Sequence, residues 1–577
     1  MLSHKVLTRQ DVGRAASYYE DGRDDYYAGE GEASAWQGKG AEALGLDGAV
    51  DPERFRELLA GRVTPDEPNS RIARRHDAKE RIGIDLTFSA PKSVSLQALV
   101  GGDERIVAAH DRAVAHAIAA AEERAQTRKK VKGESRVEDT KNLVVAKFRH
   151  ETSREQDPQL HTHALVLNLT RRSDGAWRAL RNDEIVKATK YLGALYRAEL
   201  AAELQEMGYA LRHGREGMFE LAHIERAQLT AFSRRSAQIE ERLAASGLTR
   251  ETATSEQKQR GNLTTRARKV SRERLALHAE WQAKARELGI NLRRAAAPVE
   301  KSVYGGATTA RATREEAAAL GARRSVRFAI AHLTERQAIV EDRELLDVAL
   351  KHAVGLATLP DIVREIERLR ETGFLIAEAP LYRPADAPSR AVGQARGAWV
   401  TALMELGSTR EQARARVEAD VTNGKLVAVE PRFTTQTALE REKRILAIER
   451  DGRGAMKPVG SVDVVRMRLA SSDLNAGQRA AVELIATTPH RVVGVQGIAG
   501  AGKSHMLDHA RTLAEEHSHR VVALAPYAAH VRALRELGVE ARTLASFLAA
   551  REKPLDERTV LVIDEAGTVP TRQMEQG

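Results

Sequence analysis

The sequence predicts an α+β protein that continues into a mostly helical stretch and ends in the beginning of an α/β nucleotide-binding lobe. Three observations predict this. Apolar, β-branched runs bounded by breakers occupy residues 82–91, 142–151 and 160–169, the mark of strands. An Ala-rich amphipathic pattern over 103–127 separates the first two, the mark of a packed helix. After about residue 465 a strand–loop–helix rhythm begins, with a glycine-rich loop at its turn. A chain of 577 residues is too long for one hydrophobic core. We expect an α+β domain over 1–294, a linker over 295–310, a mostly helical region over 311–460 and an α/β lobe over 461–577.

Taken in order, the run IGIDLTFSAP opens the strand set, and the helix of 103–127 follows it. The basic run RKKVKGESR then reads as a loop before NLVVAKFRHE and LHTHALVLNL. Residues 184–208 read as one long helix stopped by Gly208. Residues 224–290 are helical, Arg-rich and broken near Gly261. The small, polar segment 295–310 contains Pro and Gly, as linkers do. Residues 359–378 read as a helix running into a short strand, as in a small helical or winged DNA-binding unit. No internal repeat stands out.

Composition narrows the function. The chain is 42% hydrophobic and 30% charged, which fits a folded, soluble protein. Its formal net charge of +10 favours a polyanionic partner, nucleic acid above all. The absence of cysteine excludes disulfides, thiolate metal sites and cysteine nucleophiles, and suits a reducing cytoplasm. The first residues lack the apolar segment of a signal peptide, and no run is long enough to span a bilayer.

Two constellations carry chemistry in the first half. Tyr18, Tyr19, Tyr26 and Tyr27 form two adjacent pairs among Asp21, Asp24 and Asp25. Adjacent residues cannot both face one core. The pairs are either an aromatic surface that stacks on bases or phenolic nucleophiles, whose ordinary pKa of about 10 calls for a metal or a base. His161 and His163 lie two apart on a strand and project from one face. If 142–151 and 160–169 form a hairpin centred between Glu155 and Gln156, paired residues sum to 311 and His150 lies opposite His161. Three imidazoles then converge on one divalent ion; Mn²⁺ or Zn²⁺ suits nitrogen donors better than Mg²⁺. A slip of one residue would turn His150 away. Asp85 faces opposite to Ile84, Leu86 and Phe88. A carboxylate in a central strand needs a partner. It orients a ligand histidine, accepts the tyrosine proton, or simply bonds to backbone.

The last part holds a phosphate-binding loop, Gly497-x4-Gly502-Lys503-Ser504, with Gly500 inside it. Backbone N–H groups there cradle phosphates, Lys503 reaches the β and γ oxygens of ATP, and Ser504 binds Mg²⁺. TVLVIDEAG supplies Asp564 for the metal and Glu565 to orient water, and Gln478 in LNAGQ stands where superfamily 1 helicases resemble this chain and use a glutamine to read adenine. Basic runs at 71–81, 128–132 and 171–182 are candidates for holding DNA; the last interleaves Trp177, as base stacking requires.

The segments MLSHKVLTRQDVGRAASYYEDGRDDYYA, RIGIDLTFSAPKSVSLQALV and KFRHETSREQDPQLHTHALVLN closely resemble conjugative relaxases of the TrwC/TraI type, the MobF class, and the likeness runs on through ALRNDEIVKATKYLGALYRAEL into the helicase-like part. The resemblance implies an HUH-type fold, a central antiparallel sheet with flanking helices that binds metal on the sheet. It implies Tyr18 as the nicking nucleophile, Tyr26 as a second tyrosine used late in transfer, His150, His161 and His163 as metal ligands, and Asp85 as the acidic residue beside them. It departs from the general motif only in the middle residue of His-x-His, the polar Thr162.

By that resemblance the expected activity is strand-specific nicking of supercoiled or single-stranded plasmid DNA at an origin of transfer. A 5′-phosphotyrosine on Tyr18 then conserves bond energy for rejoining. Accessory relaxosome proteins, a type IV secretion coupling protein, and export with the DNA from the cytoplasm belong to the same expectation. The sequence stops ten residues after Gly567, before the second motor lobe that normally supplies an arginine finger, so little unwinding is expected of residues 1–577 alone. The alternatives are a helicase whose first domain only loads DNA, an HUH replication initiator, and a scaffold that holds DNA for another nuclease.

Overall fold

The computed structural model describes residues 1–9, 34–63, 80–131, 134–153, 155–234, 274–292, 307–335, 337–387, 391–498, 500–553 and 555–576, with isolated residues between 238 and 245. Two compact units emerge. One comprises Met1–Ala329, Glu341–Arg368 and Ala379–Pro431; the other comprises Ile330–Val340, Leu369–Glu378 and Arg432–Gly577.

The first unit is built on a five-stranded antiparallel sheet: β1 (Leu2–Thr8), β2 (Ser34–Gln37), β3 (Arg81–Ser89), β6 (Val145–Thr152) and β7 (Pro158–Leu167), in the order β1-β3-β7-β6-β2. Between β3 and β6 come β4 (Gln126–Val131) and β5 (Glu134–Asp139), a separate antiparallel pair. The basic run expected as a loop is therefore largely a hairpin. Its Thr and Val residues and the alternation of polar side chains suit a strand exposed on one face.

β3 and β7 are central, and side chains alternate between the faces of the sheet. Ile84, Leu86, Phe88, Ala164 and Val166 are buried on one face. On that side Phe88 lies 5.5 Å, ring to ring, from Tyr196 of a helix spanning Thr189–Glu206. That helix packs on another spanning Glu104–Glu122, the Ala-rich segment, whose Ala113 and Ala117 are fully buried. Alanine at the contact lets two helices approach closely. The opposite face carries Ala146, Phe148, Leu165 and Leu167, which share a core with Trp36, Phe55 and Leu58. Phe55 and Leu58 come from a helix spanning Pro52–Leu59, started by the Asp51 carboxylate accepting from the Arg54 amide.

Two expectations change in detail. The helix of 184–208 is two, Asp183–Lys187 and Thr189–Glu206, broken at Ala188, where the Thr189 hydroxyl donates to the Val186 carbonyl. Gly208 stops the second with φ of +90°, as expected. Most of the expected linker lies outside the described residues, but Ala307 already begins a helix that runs to Thr334.

A repeat does exist. Helices Leu359–Glu371 and Arg410–Thr422 are each followed, at the same spacing, by a positive-φ glycine (Gly373, Gly424) and a short strand, Leu375–Ala377 or Leu426–Ala428. Fifty-one residues separate Leu375 from Leu426, Ala377 from Ala428, Pro380 from Pro431 and Tyr382 from Phe433. Its identities are few and scattered, which hides it from a scan for contiguous similarity.

The second unit contains a parallel sheet of Glu540–Thr543, Arg520–Ala525 and Thr559–Ile563, in that order. Helices Ala476–Thr487 and Lys503–Glu516 contribute Val482, Met506, Ala510 and Leu513 to one of its apolar clusters. The expected strand ahead of the glycine-rich loop is not part of this sheet: residues 492–498 have no assigned strand.

Candidate functional site

The β6–β7 hairpin has the register inferred from the sequence. His150 pairs with His161, Phe148 with His163 and Val145 with Val166, and the pattern shifts only beyond His150, near the turn. Because paired residues project to the same side, His150, His161 and His163 share one face. Their ring centroids lie 5.3, 5.4 and 5.2 Å apart, nearly an equilateral triangle. Three imidazoles bound through nitrogen at about 2.1 Å and at tetrahedral angles would place their centroids about 5.3 Å apart. The triangle therefore fits one divalent ion without rearrangement of the strands.

Hydrogen bonds set which nitrogen each ring presents. His163 Nδ1 lies 2.8 Å from Asp85 Oδ2. A carboxylate only accepts, so Nδ1 carries the proton and Nε2 keeps its lone pair. His161 Nδ1 donates to the Gln159 carbonyl at 2.9 Å, with the same result. Burial, then the neighbouring His163, push the His161 pKa down to about 3, so this ring is neutral and able to ligate at any ordinary pH. Asp85 is buried on the odd face of β3, two strands from His150, and the Thr87 hydroxyl donates to its Oδ1 at 3.3 Å. Of the three roles open to it, the geometry supports the carboxylate that orients a histidine.

Thr162 explains its own polarity. It points to the opposite face, where its hydroxyl lies 2.8 Å from His110 Nε2; His110 Nδ1 is 2.8 Å from the Tyr196 hydroxyl. His110 and Thr162 are buried, and the three groups close a hydrogen-bond chain inside the apolar layer. Burial holds the His110 pKa well below its ordinary value. Nothing in the sequence marked His110, one histidine on the Ala-rich helix.

The tip of the hairpin is secured from far along the chain. Asp157, buried, accepts from the Arg234 amide and its Nε, both at 2.9 Å, and Trp281 Nε1 donates to the Gln156 carbonyl at 2.9 Å. Tyr18, Tyr19, Tyr26 and Tyr27 lie outside the described residues, as do 71–79 of the basic runs. Of the other basic candidates, Arg81 donates to the Leu180 carbonyl at 2.6 Å and Arg181 to Asp183 at 3.0 Å, so both serve the fold. Arg128, Arg171 and Arg178 are exposed. Trp177 is half-buried against the core that holds Phe55 and Phe148, which removes it as a free stacking platform.

The glycine-rich loop precedes the helix Lys503–Glu516, with Gly500 and Gly502 at φ of +79° and +73°. Lys503 Nζ donates to the Gly497 carbonyl at 3.1 Å. Gln478 sits in a reciprocal cap with Asn475, and its Nε2 donates to the Ala501 and Gly502 carbonyls at 3.1 and 3.2 Å. A side chain at 502 would meet that amide nitrogen at 2.5 Å and displace it, and the φ of +73° favours glycine there. Asp564 ends the strand Thr559–Ile563, its amide donating to the Leu524 carbonyl at 2.9 Å; Glu565 follows with φ of +50° and is exposed. Ser504 is the second residue of the loop's helix.

Comparisons with known proteins find similarity in two parts of the chain. The TrwC relaxase family model matches residues 12–288, and an AAA domain model matches 473–576. The multifunctional conjugation protein TraI of Escherichia coli is 39% identical over 305 residues, covering 51% of this chain and 16% of that protein. Conjugal transfer protein TraA of Agrobacterium fabrum is 42% identical over 105 residues, 18% of this chain and 10% of that one. The chain thus spans about one-sixth of the length of the first of these relatives. Among solved structures, relaxase TrwC with oriT DNA, metal-bound, is 64% identical, covering 51% of this chain and all of that one at a TM-score of 0.48. Its metal-free counterpart is 63% identical, covering 50% of this chain and all of that one at 0.47. Among the described residues, no helix is long and apolar enough to cross a membrane.

Proposed function

We propose, on the premise that residues 12–288 belong to the TrwC relaxase family, that this chain nicks one strand of DNA at a plasmid origin of transfer and keeps the 5′ end as a phosphotyrosine on Tyr18. The observation that supports it best is the histidine triangle on β6 and β7, with Asp85 fixing the tautomer of His163. His150, His161 and His163 would hold a divalent metal, of the Mn²⁺ or Zn²⁺ class by donor type and Mg²⁺ less readily. Such an ion, when bound, offsets charge on the scissile phosphate.

The chain's own groups do the rest. Neutral imidazoles leave the positive charge of the site uncompensated, which favours an anionic phosphodiester. Asp85 keeps the His163 Nδ1 proton and so holds the ring for ligation. The Tyr18 hydroxyl gives up its proton as its oxygen attacks phosphorus, and the 3′ oxygen leaves with the bonding pair and takes up a proton; one phosphodiester replaces another with no net change in protons. Tyr26 serves a later strand transfer. Relaxase TrwC, 63–64% identical over about half of this chain, is described in complex with oriT DNA, which supports oriT DNA as the substrate class.

The glycine-rich loop, Asp564 and Glu565 would bind ATP with Mg²⁺ as part of a helicase motor, as the AAA match supports. Accessory relaxosome proteins, a secretion coupling protein, and passage from the donor cytoplasm with the DNA complete the proposal.

The test is a gel assay of supercoiled plasmid carrying a candidate origin, with divalent metal and without ATP, quenched in detergent. Wild type and Tyr26→Phe should give a nicked circle with protein on its 5′ end, and Tyr18→Phe should give none. Normal adduct formation by Tyr18→Phe overturns the assignment. DNA binding by all variants without cleavage of any origin strand would move the helicase reading to first place.

A further inference from the structure

A second cluster of metal-ligand type lies in the nucleotide-binding unit, and nothing in the proposed activities uses it. Asp473 sits in the turn between the helices Val462–Ala470 and Ala476–Thr487. His505 and His509 lie one turn apart near the start of the Lys503–Glu516 helix. At i and i+4 they share a helix face. One carboxylate oxygen, Asp473 Oδ1, lies 3.2 Å from His505 Nε2 and 3.1 Å from His509 Nε2, and the imidazole centroids are 4.9 Å apart. The three ligand atoms all fall within 4.8 Å of one another.

We infer that Asp473, His505 and His509 form a binding site for a divalent transition metal of the Zn²⁺ class, which ties the turn before Gln478 to the helix that begins with Lys503. Donors around tetrahedral Zn²⁺ at about 2.0–2.1 Å lie about 3.3–3.4 Å apart, so the two observed nitrogen–oxygen edges need to open by only a few tenths of an ångström. Two imidazoles and one carboxylate leave a position open to water on this exposed surface. They favour Zn²⁺, Co²⁺ or Ni²⁺ over Mg²⁺, which prefers an all-oxygen shell. Ligation through Nε2 needs each neutral ring to carry its proton on Nδ1 instead, with no net gain or loss of protons.

The placement gives the site a purpose. Asp473 is two residues before Asn475, whose cap with Gln478 positions the amide that holds the Ala501 and Gly502 carbonyls. His505 immediately follows Ser504. An ion there joins both sides of the phosphate-binding loop. The ordinary alternative is a surface aspartate that accepts from two histidines and binds no ion. The inference does not depend on the relaxase reading.

The experiment is a Co²⁺ titration of the tag-free chain after chelator treatment, with bound metal counted by equilibrium dialysis and geometry read from the visible absorption of tetrahedral Co²⁺. It is repeated on His505→Asn/His509→Asn, on Asp473→Asn, and on both in a His161→Ala background that removes the other histidine site. The expected result is one fewer bound ion for the double variant in either background. Asp473→Asn should weaken this ion at least about tenfold, as loss of a ligand does. Equal melting of all variants in chelator shows that folding is unchanged. Equal stoichiometry in wild type and the double variant overturns the site. An unchanged affinity in Asp473→Asn overturns the three-ligand assignment and leaves an adventitious histidine pair.

Discussion

The histidine triangle and the glycine-rich loop, both proposed above to serve phosphate chemistry, are built in opposite ways. The triangle draws on three neighbouring strands: its histidines sit on β6 and β7, the carboxylate beside His163 on β3, and the hairpin's tip is tied down by Arg234 and Trp281. The loop is a single run, Gly497 to Ser504; among its described residues Lys503 donates to the Gly497 carbonyl, and Gln478 donates to the Ala501 and Gly502 carbonyls. One site is buried and preorganised by a sheet; the other is exposed and preorganised by glycine dihedrals and a helix start. A buried site tolerates loss of a partner poorly, because the remaining polar groups have no water to turn to. A loop site depends on individual residues and transmits little to the fold.

That contrast can be broken at its strongest point first. His161→Ala should reduce origin nicking by more than about a hundredfold, since a three-nitrogen site loses a ligand. Retained nicking at saturating metal would show that the triangle is structural. Lys503→Ala should lower nucleotide affinity at least about tenfold, the removed charge having met the phosphates directly, while nicking and the melting profile stay as in wild type. A fall in nicking would mean that the two sites are not separable. Asp85→Asn sharpens the comparison. The amide holds His163 with a weaker partner, and metal affinity of the histidine site should fall about 10–100-fold, as measured by competition with a chelating dye. No change would leave Asp85 as a buried carboxylate serving the sheet alone.

The smallest effect is in pH. His110 and His161 are kept neutral in the folded protein, the latter down to about pH 3, whereas unfolded histidines take up protons near pH 6.5. The unfolded state therefore binds more protons as pH falls below about 6.5, and stability, complete above that pH, declines by up to about 1.4 kcal/mol per pH unit for each group. Denaturant midpoints in chelator should be lower near pH 5 than near pH 7.5. An equal or higher midpoint at the lower pH would show that neither ring is buried neutral.

Much of the candidate site was legible because it follows from alternation. Two histidines spaced by one residue must share a face, and the hairpin sum placed His150 opposite His161. Glycine spacing and a following helix identified the phosphate loop for the same reason, since its chemistry is contiguous. The His110–Thr162–Tyr196 chain was not legible, because its members lie on two helices and a strand with no shared period. Trp177 looked like a stacking residue among arginines, and only the packing beside Phe55 and Phe148 shows where its ring goes. The basic run 128–136 reads as a loop in the sequence because charge density masks strand propensity when one face meets solvent.

By itself, then, the sequence determined the periodicities and the local motifs: which histidines share a face and where a phosphate loop turns. The reason is that these depend on backbone geometry repeating every two or 3.6 residues. Tertiary structure alone decided partners across distance. It set Asp85 against His163, gave polar Thr162 its histidine, kept residues 492–498 out of the parallel sheet, and brought Asp473 to His505 and His509. Such pairings are set by packing and by the need of buried polar groups for partners, and neither leaves a mark in neighbouring residues.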